Sequence, residues 1–365
     1  MKHYGDITKI KGNAVEPVDI IVGGSPCQDL SQAGLHKGLK HSELGDDEAT
    51  RSGLFMEQIR IIKEMQDADR NMGRSDRYIR PRFMVWENVP GAFASNGGDD
   101  FRTVLEETAR VADCNTTIPR LPHEQAWSDA GAVVGDRWSL AWRVHDAQFW
   151  GVPQRRKRIS LVADFRGEAA PQILFERQSL SGNPAKREKQ GQGIAENIKR
   201  SADAGSRYGF AMQAIGEYKL TECASSLKQR DYKDATDLIV ECHSDGMAVR
   251  RYTPTECGRL QGYPDGWLDI GDWVDSKGKT HKDSDSLKYK AFGNSIALPF
   301  WEWMANRMAN VLREDGSTEI TMASLFDGIG GFPLVFQRAG VRPVWASEIE
   351  EFPIAVTKIR FPEDE

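Results

Sequence analysis

The chain has 365 residues, 39% hydrophobic and 28% charged, with a net charge of −6; this excludes a wholly disordered chain and leaves room for one large domain with an insertion, or for two domains. Five cysteines with no Cys-x-x-Cys pair argue against a disulfide framework or a zinc site and for a reducing compartment. The opening MKHYGDITKI is no signal peptide and no apolar run approaches the roughly 18 residues that cross a bilayer, so a cytoplasmic protein without membrane contact is expected.

In chain order, VDIIVGG (18–24) is a buried-strand run ending in glycine, and SGLFMEQIRIIKEM (52–65) has helical spacing. PRFMVWENVPG (81–91) is a strand ending in a turn, and FRTVLEETARV (101–111) is helical again. Strand alternating with helix predicts a parallel sheet with crossover helices. After RISLVADF (158–165) the texture changes: residues 180–210 are polar, glycine-bearing and aperiodic, which predicts a loop-rich inserted domain. Residues 155–251 carry 18 Lys and Arg against 13 Asp and Glu, a balance of +5 that leaves −11 elsewhere, a distribution suited to a polyanion docking on one region. KYKAFGNSIALPFWEWMANRMANVL (288–312) is a loop feeding an amphipathic helix, and REDGSTEIT (313–321) reads as a linker.

Beyond the linker, MASLFDGIGGFPLVFQRAGVRPVWASEIEEF (322–352) is a strand, a glycine-rich turn, a helix and a second strand ending in acid. Glu348 follows Gly328 by twenty residues, the spacing at which a nucleotide-binding βαβ unit sets a carboxylate on ribose hydroxyls. DGIGG does not match GxGxxG, so a dinucleotide is not implied; a nucleoside-type ligand and a merely tight turn both fit the residues.

Eight segments together resemble the DNA (cytosine-5)-methyltransferases: SLFDGIGGF, ASEIE, GDITKI, GGSPCQDLS, VWENVPG, QFWGVPQRRKRI, RRYTPTECGRLQGYP and YKAFGNSIALPF. They extend over well over half of the chain. Their order departs from the family, because the cofactor motif that normally comes first stands here near the C-terminal end; the sequence looks circularly permuted. The resemblance implies a Rossmann-like, mainly parallel α/β domain of the S-adenosylmethionine-dependent methyltransferase fold, built from residues 1–165 and 286–365. Residues 166–285 would hold a smaller DNA-recognition domain, inserted at roughly 166–250, and its hinge.

The chemistry of such an enzyme explains GGSPCQDLS. Cytosine carbon-5 is too weak a nucleophile to take a methyl group from a sulfonium until another nucleophile has added at carbon-6, and a thiolate adds well and leaves easily. Cys27, where a strand gives way to a loop, is the expected nucleophile, with Gln28 beside it. Cys114, Cys223, Cys242 and Cys257 read as buried small hydrophobes. By resemblance Glu87 stabilises the charge that builds at ring nitrogen-3, Asn88 positions it, and Arg158 contacts the cytosine carbonyl oxygen. In strand geometry Arg156 and Arg158 share a face that would look to the active site, while Gln154, Arg155 and Lys157 support it or meet phosphates.

The cofactor implied is S-adenosyl-L-methionine, leaving as S-adenosyl-L-homocysteine. Phe326, Asp327, Gly328, Gly330 and Gly331 would form its glycine turn, Glu348 its ribose ligand and Ile349 its adenine platform. Asp6 and Ile7 would read the adenine edge, and Asn294 and Ser295 would close the pocket. No metal is expected. The expected partner is double-stranded DNA, with a cognate restriction endonuclease as a further one, and the expected state is monomeric. Residues 28–53 would form a loop closing over a flipped base, and 225–237 would read DNA. A tRNA cytosine-5 methyltransferase and a catalytically inactive DNA-binding regulator are the alternatives.

Overall fold

The computed structural model describes residues 1–25, 53–122, 125–175, 207–214, 217–228, 231, 237–243 and 246–363. Cys27 and Gln28, the expected closing loop and most of the expected DNA-reading loop lie outside them. In chain order the described residues form β1 (Lys2–His3), β2 (Ile20–Gly23), α1 (Gly53–Asn71), β3 (Phe83–Asn88), α2 (Asp99–Ala112), β4 (Ala130–Gly135), β5 (Trp138–Asp146), β6 (Lys157–Asp164) and α3 (Ala169–Leu174). There follow β7 (Arg207–Ala214), β8 (Glu217–Thr221), β9 (Asp237–His243), β10 (Gly246–Arg250), α4 (Pro254–Gln261), β11 (Trp273–Val274), β12 (Thr280–His281), α5 (Asp285–Asn294), α6 (Leu298–Glu314), β13 (Thr321–Leu325), α7 (Gly331–Arg338), β14 (Arg342–Ser347) and α8 (Glu351–Arg360).

Unbroken apolar runs such as Ile20-Ile21-Val22 cannot leave one face in water, and all three residues are fully buried. They sit inside an eight-stranded sheet of order β1-β14-β13-β2-β3-β6-β5-β4. Ile20, Val22, Phe83, Val85 and Met322 face a layer made by α3, α6, α7 and α8. Their alternates Ile21, Met84, Trp86, Ala323 and Leu325 face α1 and α2, giving an α/β/α sandwich.

β1, β14, β13, β2 and β3 are parallel, so their C-terminal ends share one edge. β6 pairs antiparallel with β3, and β5 and β4 continue antiparallel. The mainly parallel sheet expected is thus present, with β6 running backward so that its first residues, not its last, reach the shared edge. The loop expected to feed the helix within 288–312 is itself helical: α5 runs to Asn294, and after a break at Ser295–Ala297 α6 begins with Pro299 in its first turn.

β13, α7 and β14 are integral to this sheet, with β13 flanked by β14 and β2. The Met1 amine donates to the carbonyls of Phe361 and Pro362 at 3.1 and 2.9 Å, so β1 follows α8 in space as the permuted order requires. Residues 207–250 form a separate antiparallel sheet of order β10-β9-β7-β8. Residues expected in the smaller domain or its hinge on either side of this sheet are placed differently. Ala170, Ile173 and Leu174 of α3, and Cys257, Leu260, Tyr263 and Trp273 beyond β10, pack into the main core. Among the described residues no helix is long and apolar enough to cross a membrane.

Asp164 at the end of β6 is fully buried and accepts from Arg82 Nε and Nη2, both at 3.0 Å, and from the amides of Arg166 and Ala169. It ties β6 to the start of β3 and to the entry of α3. Arg82 keeps Asp315 as a second partner, but the amides of Arg166 and the buried Ala169 lose theirs, so Asp164→Ala is expected to lower unfolding stability by about 1–3 kcal/mol, measured by urea denaturation. A loss under about 1 kcal/mol would show that these amides find other partners.

Candidate active site

The edge where the parallel strands end is where ligands bind in such sheets. β2 delivers Gly23, Gly24 and Ser25 to it, and β3 delivers Trp86, Glu87 and Asn88. A Cβ on Gly24 would lie 2.8 Å from Glu87 Oε2, so only glycine lets the chain pass this close to the carboxylate. Ser25 is then held from two sides: its Oγ accepts from Trp86 Nε1 at 2.9 Å and its carbonyl from Asn88 Nδ2 at 3.1 Å. Asn88 Oδ1 accepts from the Val89 amide at 2.8 Å, which fixes the amide's orientation. Asn88, expected to position Glu87, thus anchors the segment that leads, two residues later, to Cys27. Trp86 and Ser25, which motif reading had not singled out, share this task; their signal was only the alternation of WEN about the strand.

Glu87 Oε1 meets Arg158 Nε at 2.7 Å, both side chains about 85% buried. The pair follows from register, since Glu87 lies opposite Ser160 on the antiparallel β6. The expected alternation in QRRKRI holds, with Arg155 and Lys157 exposed, Arg156 buried and Arg158 half-buried. Arg156, however, shares less with Arg158 than a common face suggested. Its guanidinium is enclosed by the carbonyls of Leu227 and Gly293, each at 3.1 Å, and of Ser295. Burial, with Arg158 nearby, brings its pKa down to about 9. Of the other cysteines, Cys257 is buried as expected, but Cys114 is exposed and Cys223 only partly covered.

Along the same edge, β13 ends in the glycine turn. Phe326 takes a φ of 56°, a left-handed conformation that side chains adopt at a cost and that clusters at functional sites. The Gly328 amide donates to Glu348 Oε2 at 2.7 Å, and Glu348 Oε1 accepts from the amides of Ile349 and Glu350. Nothing lies within 4 Å of where a side chain on Gly328 would begin, and Ile349 is 71% exposed beside it. A Cβ on Gly331 would come within 2.3 Å of Tyr263 Oη, so the turn rests directly on that ring, which sequence reasoning also missed. Tyr263 Oη in turn pairs with Ser295 Oγ at 2.5 Å, while Asn294 is exposed. Asp6 accepts from the amide and hydroxyl of Thr8, and Ile7 is buried in the core; Gly5 is tied to the end of β14 through Ser347 Oγ.

Asp327 is buried, its carboxylate making no well-aligned hydrogen bond and having only the hydroxyl of Ser324 in β13 as a weak polar partner. Burial pushes its pKa up to about 8, with Ser324 opposing and the Glu348 charge adding. An orphaned buried carboxyl, a carboxylate fixed on backbone amides and an exposed apolar side chain form a fitting donor set for a ligand with a cationic end, a sugar diol and a flat base.

Residues 1–112 and 320–365 match the family described as C-5 cytosine-specific DNA methylase. The chain is 27% identical to the "DNA N-6-adenine-methyltransferase" of Escherichia phage P1, with 86% of this chain and 56% of that protein covered. It is 27% identical to the Type II methyltransferase M1.ScrFI of Lactococcus lactis subsp. cremoris, covering 85% and 67%, and 25% identical to M.SsoII of Shigella sonnei, covering 84% and 68%. The chain thus spans little more than half of the first relative and about two thirds of the others. Fold and edge together define a Rossmann-like α/β architecture with a ligand-binding edge. Within that class, the chain's resemblance to C-5 cytosine-specific DNA methylases lies in its two ends, residues 1–112 and 320–365.

Asp327 gives a pH signature. A carboxyl whose folded pKa is raised stabilises the fold fully below its unfolded pKa of about 3.9, and that contribution is lost as pH rises through about 8. Ligand-free Asp327→Asn protein should therefore lose less melting temperature than the parent between pH 5 and pH 8.5, as followed by calorimetry. Equal losses would mean that Asp327 is ionised in the folded state throughout.

Proposed function

We propose that the protein transfers a methyl group from S-adenosyl-L-methionine to carbon-5 of a specific cytosine in double-stranded DNA. The observation that carries this reading is the Glu87–Arg158 pair at the sheet edge, packed against Gly24 and three residues from Cys27. A carboxyl and a guanidinium side by side match the ring nitrogen-3 and carbonyl oxygen of a cytosine, and Cys27 follows the anchored Ser25 by two residues in sequence. An adenine amino group would need no thiol, since it carries its own lone pair. The relatives named Type II methyltransferases favour duplex DNA over tRNA and make a cognate endonuclease a reasonable partner.

The target base must leave the stack, at a cost of a few kcal/mol, because its reacting atoms are buried in the duplex. Cys27 as thiolate then adds to carbon-6, and the electron pair of the 5,6 double bond moves toward the ring nitrogen and carbonyl. Glu87 stabilises the charge at nitrogen-3, and Arg158 supports Glu87 and the carbonyl oxygen. The resulting enamine carbon-5 is nucleophilic. The cofactor, when bound, supplies an electrophilic methyl group on a sulfonium that leaves as a neutral thioether. Loss of the carbon-5 proton then expels the thiolate and restores the aromatic ring. Asp327 and Glu348 would hold the cofactor's cationic end and ribose, Ile349 its adenine, and Asp6 and Ile7 the adenine edge.

Duplex DNA with 5-fluorocytosine at the target should trap a covalent adduct at Cys27, because fluorine cannot leave as a proton. Cys27→Ala should reduce methyl transfer by at least about 10³-fold, and Glu87→Gln by about 10²–10⁴-fold. Undiminished transfer by Cys27→Ala, or methylation of tRNA but not of duplex DNA, would overturn the reading.

A further inference from the structure

Arg156 is buried at the junction of three chain segments, and among the described residues no carboxylate lies within ion-pair reach of it. Its charge is carried by main-chain carbonyls alone. One Nη donates to Leu227 O, the other to Gly293 O and Ser295 O, and its own amide is fixed by Asp146 Oδ1 at 2.9 Å.

Leu227 belongs to a strap, 221–228, that leaves β8 of the small sheet. Ala224 is laced to the approach of β6, donating to Pro153 O and accepting from the Arg155 amide, both at 2.8 Å. The Ser225 amide donates to Asp237, the first residue of β9, at 2.6 Å. Lys228, at the far end of the strap, is exposed. The other carbonyls end α5, and Ser295 there holds Tyr263, which rests on the glycine turn at Gly331. One guanidinium therefore spans the strap of the small sheet and the wall of the candidate cofactor site.

Building on the function proposed above, we infer that Arg156 is a positioning residue coupling the two ligands: DNA on the 221–228 strap strengthens cofactor binding through the 293–295 turn, and the reverse. A guanidinium is a rigid planar fork, so it satisfies carbonyls on two segments in one mutual arrangement only. If the strap shifts, a buried donor or carbonyl is left unpaired, a state that buried polar groups avoid. DNA that settles the strap against Arg156 thereby also settles Ser295 and Tyr263 under the glycine turn. Such coupling is reciprocal by thermodynamic necessity.

The test is calorimetric titration of S-adenosyl-L-homocysteine into the protein, with and without a saturating duplex that the protein methylates. The parent protein should bind it at least about 5-fold more tightly with DNA present. Arg156→Lys keeps the charge but places one nitrogen where two are needed, and should bring that ratio to within about 2-fold of unity. A merely structural role would lower the melting temperature and leave the ratio unchanged, and that outcome overturns the inference. Should Arg156→Lys fail to fold, amide exchange in the parent decides. Homocysteine ligand alone should slow exchange at 224–228 and DNA alone at 293–297, and absence of either change overturns the inference. Binding of both ligands without mutual effect sinks the coupling alone, whereas failure to bind either sinks the proposed function with it.

Discussion

The distance between β2 and the carboxylate of Glu87 constrains the whole catalytic edge. A residue with any side chain at position 24 would push that carboxylate aside, because the first added carbon already falls 2.8 Å from Oε2. Because the approach is allowed, Trp86 and Asn88 can reach across and hold Ser25, and the chain bearing the thiol starts from a fixed point. A loop anchored at its root by two side chains of the neighbouring strand can be long without losing the position of its first residues.

Strand direction supplies the second ingredient. Parallel strands bring their last residues to the edge, which suits loops carrying a nucleophile and a ligand-binding turn. The antiparallel β6 brings its first residues instead, and so a basic run preceding a strand arrives beside an acidic residue ending one. Five parallel strands and one reversed neighbour thus bring a glycine turn, a carboxylate and a guanidinium to one edge. The cationic side chains there divide by burial: Arg158 is half-buried and free to share its partner with a base, while Arg156 is turned inward onto carbonyls.

Much of this was legible because the relevant signals are local. Continuous apolar runs gave β2, β3 and β6, helical spacing gave α1 and α2, and the glycine turn with its twenty-residue interval gave the βαβ unit around Glu348. Direction is not local, so the antiparallel β6 could not be read from its composition, and the β4–β5 hairpin beside it went unrecognised. The stretch before α6 reads as a loop, yet it forms α5, which buries Tyr289, Ala291 and Phe292 in the core. Residues such as Tyr263, Trp86 and Ser25 matter through contacts with segments far away in sequence. The buried state of Asp327 likewise depends on packing that no single motif encodes. The boundaries of the smaller sheet were set too wide because polar texture extends beyond it, while α3 and α4 bury their apolar faces in the main core.

The placement of β13 has a consequence for how the chain comes together. Thr321 bonds through both its amide and its hydroxyl to Asp19, a partner 302 residues earlier, and β13 then runs between β2 and β14. The strand at the middle of the parallel half is therefore separated from β2 by most of these residues. Without β13 and β14, β2 has an open edge on one side and β1 has no neighbour at all. Closing the sheet requires loop closure over most of the chain, a topology that folds slowly and exposes unpaired strand edges meanwhile. In a chain of this order, the parallel half of the sheet closes only when segments 302 residues apart have met.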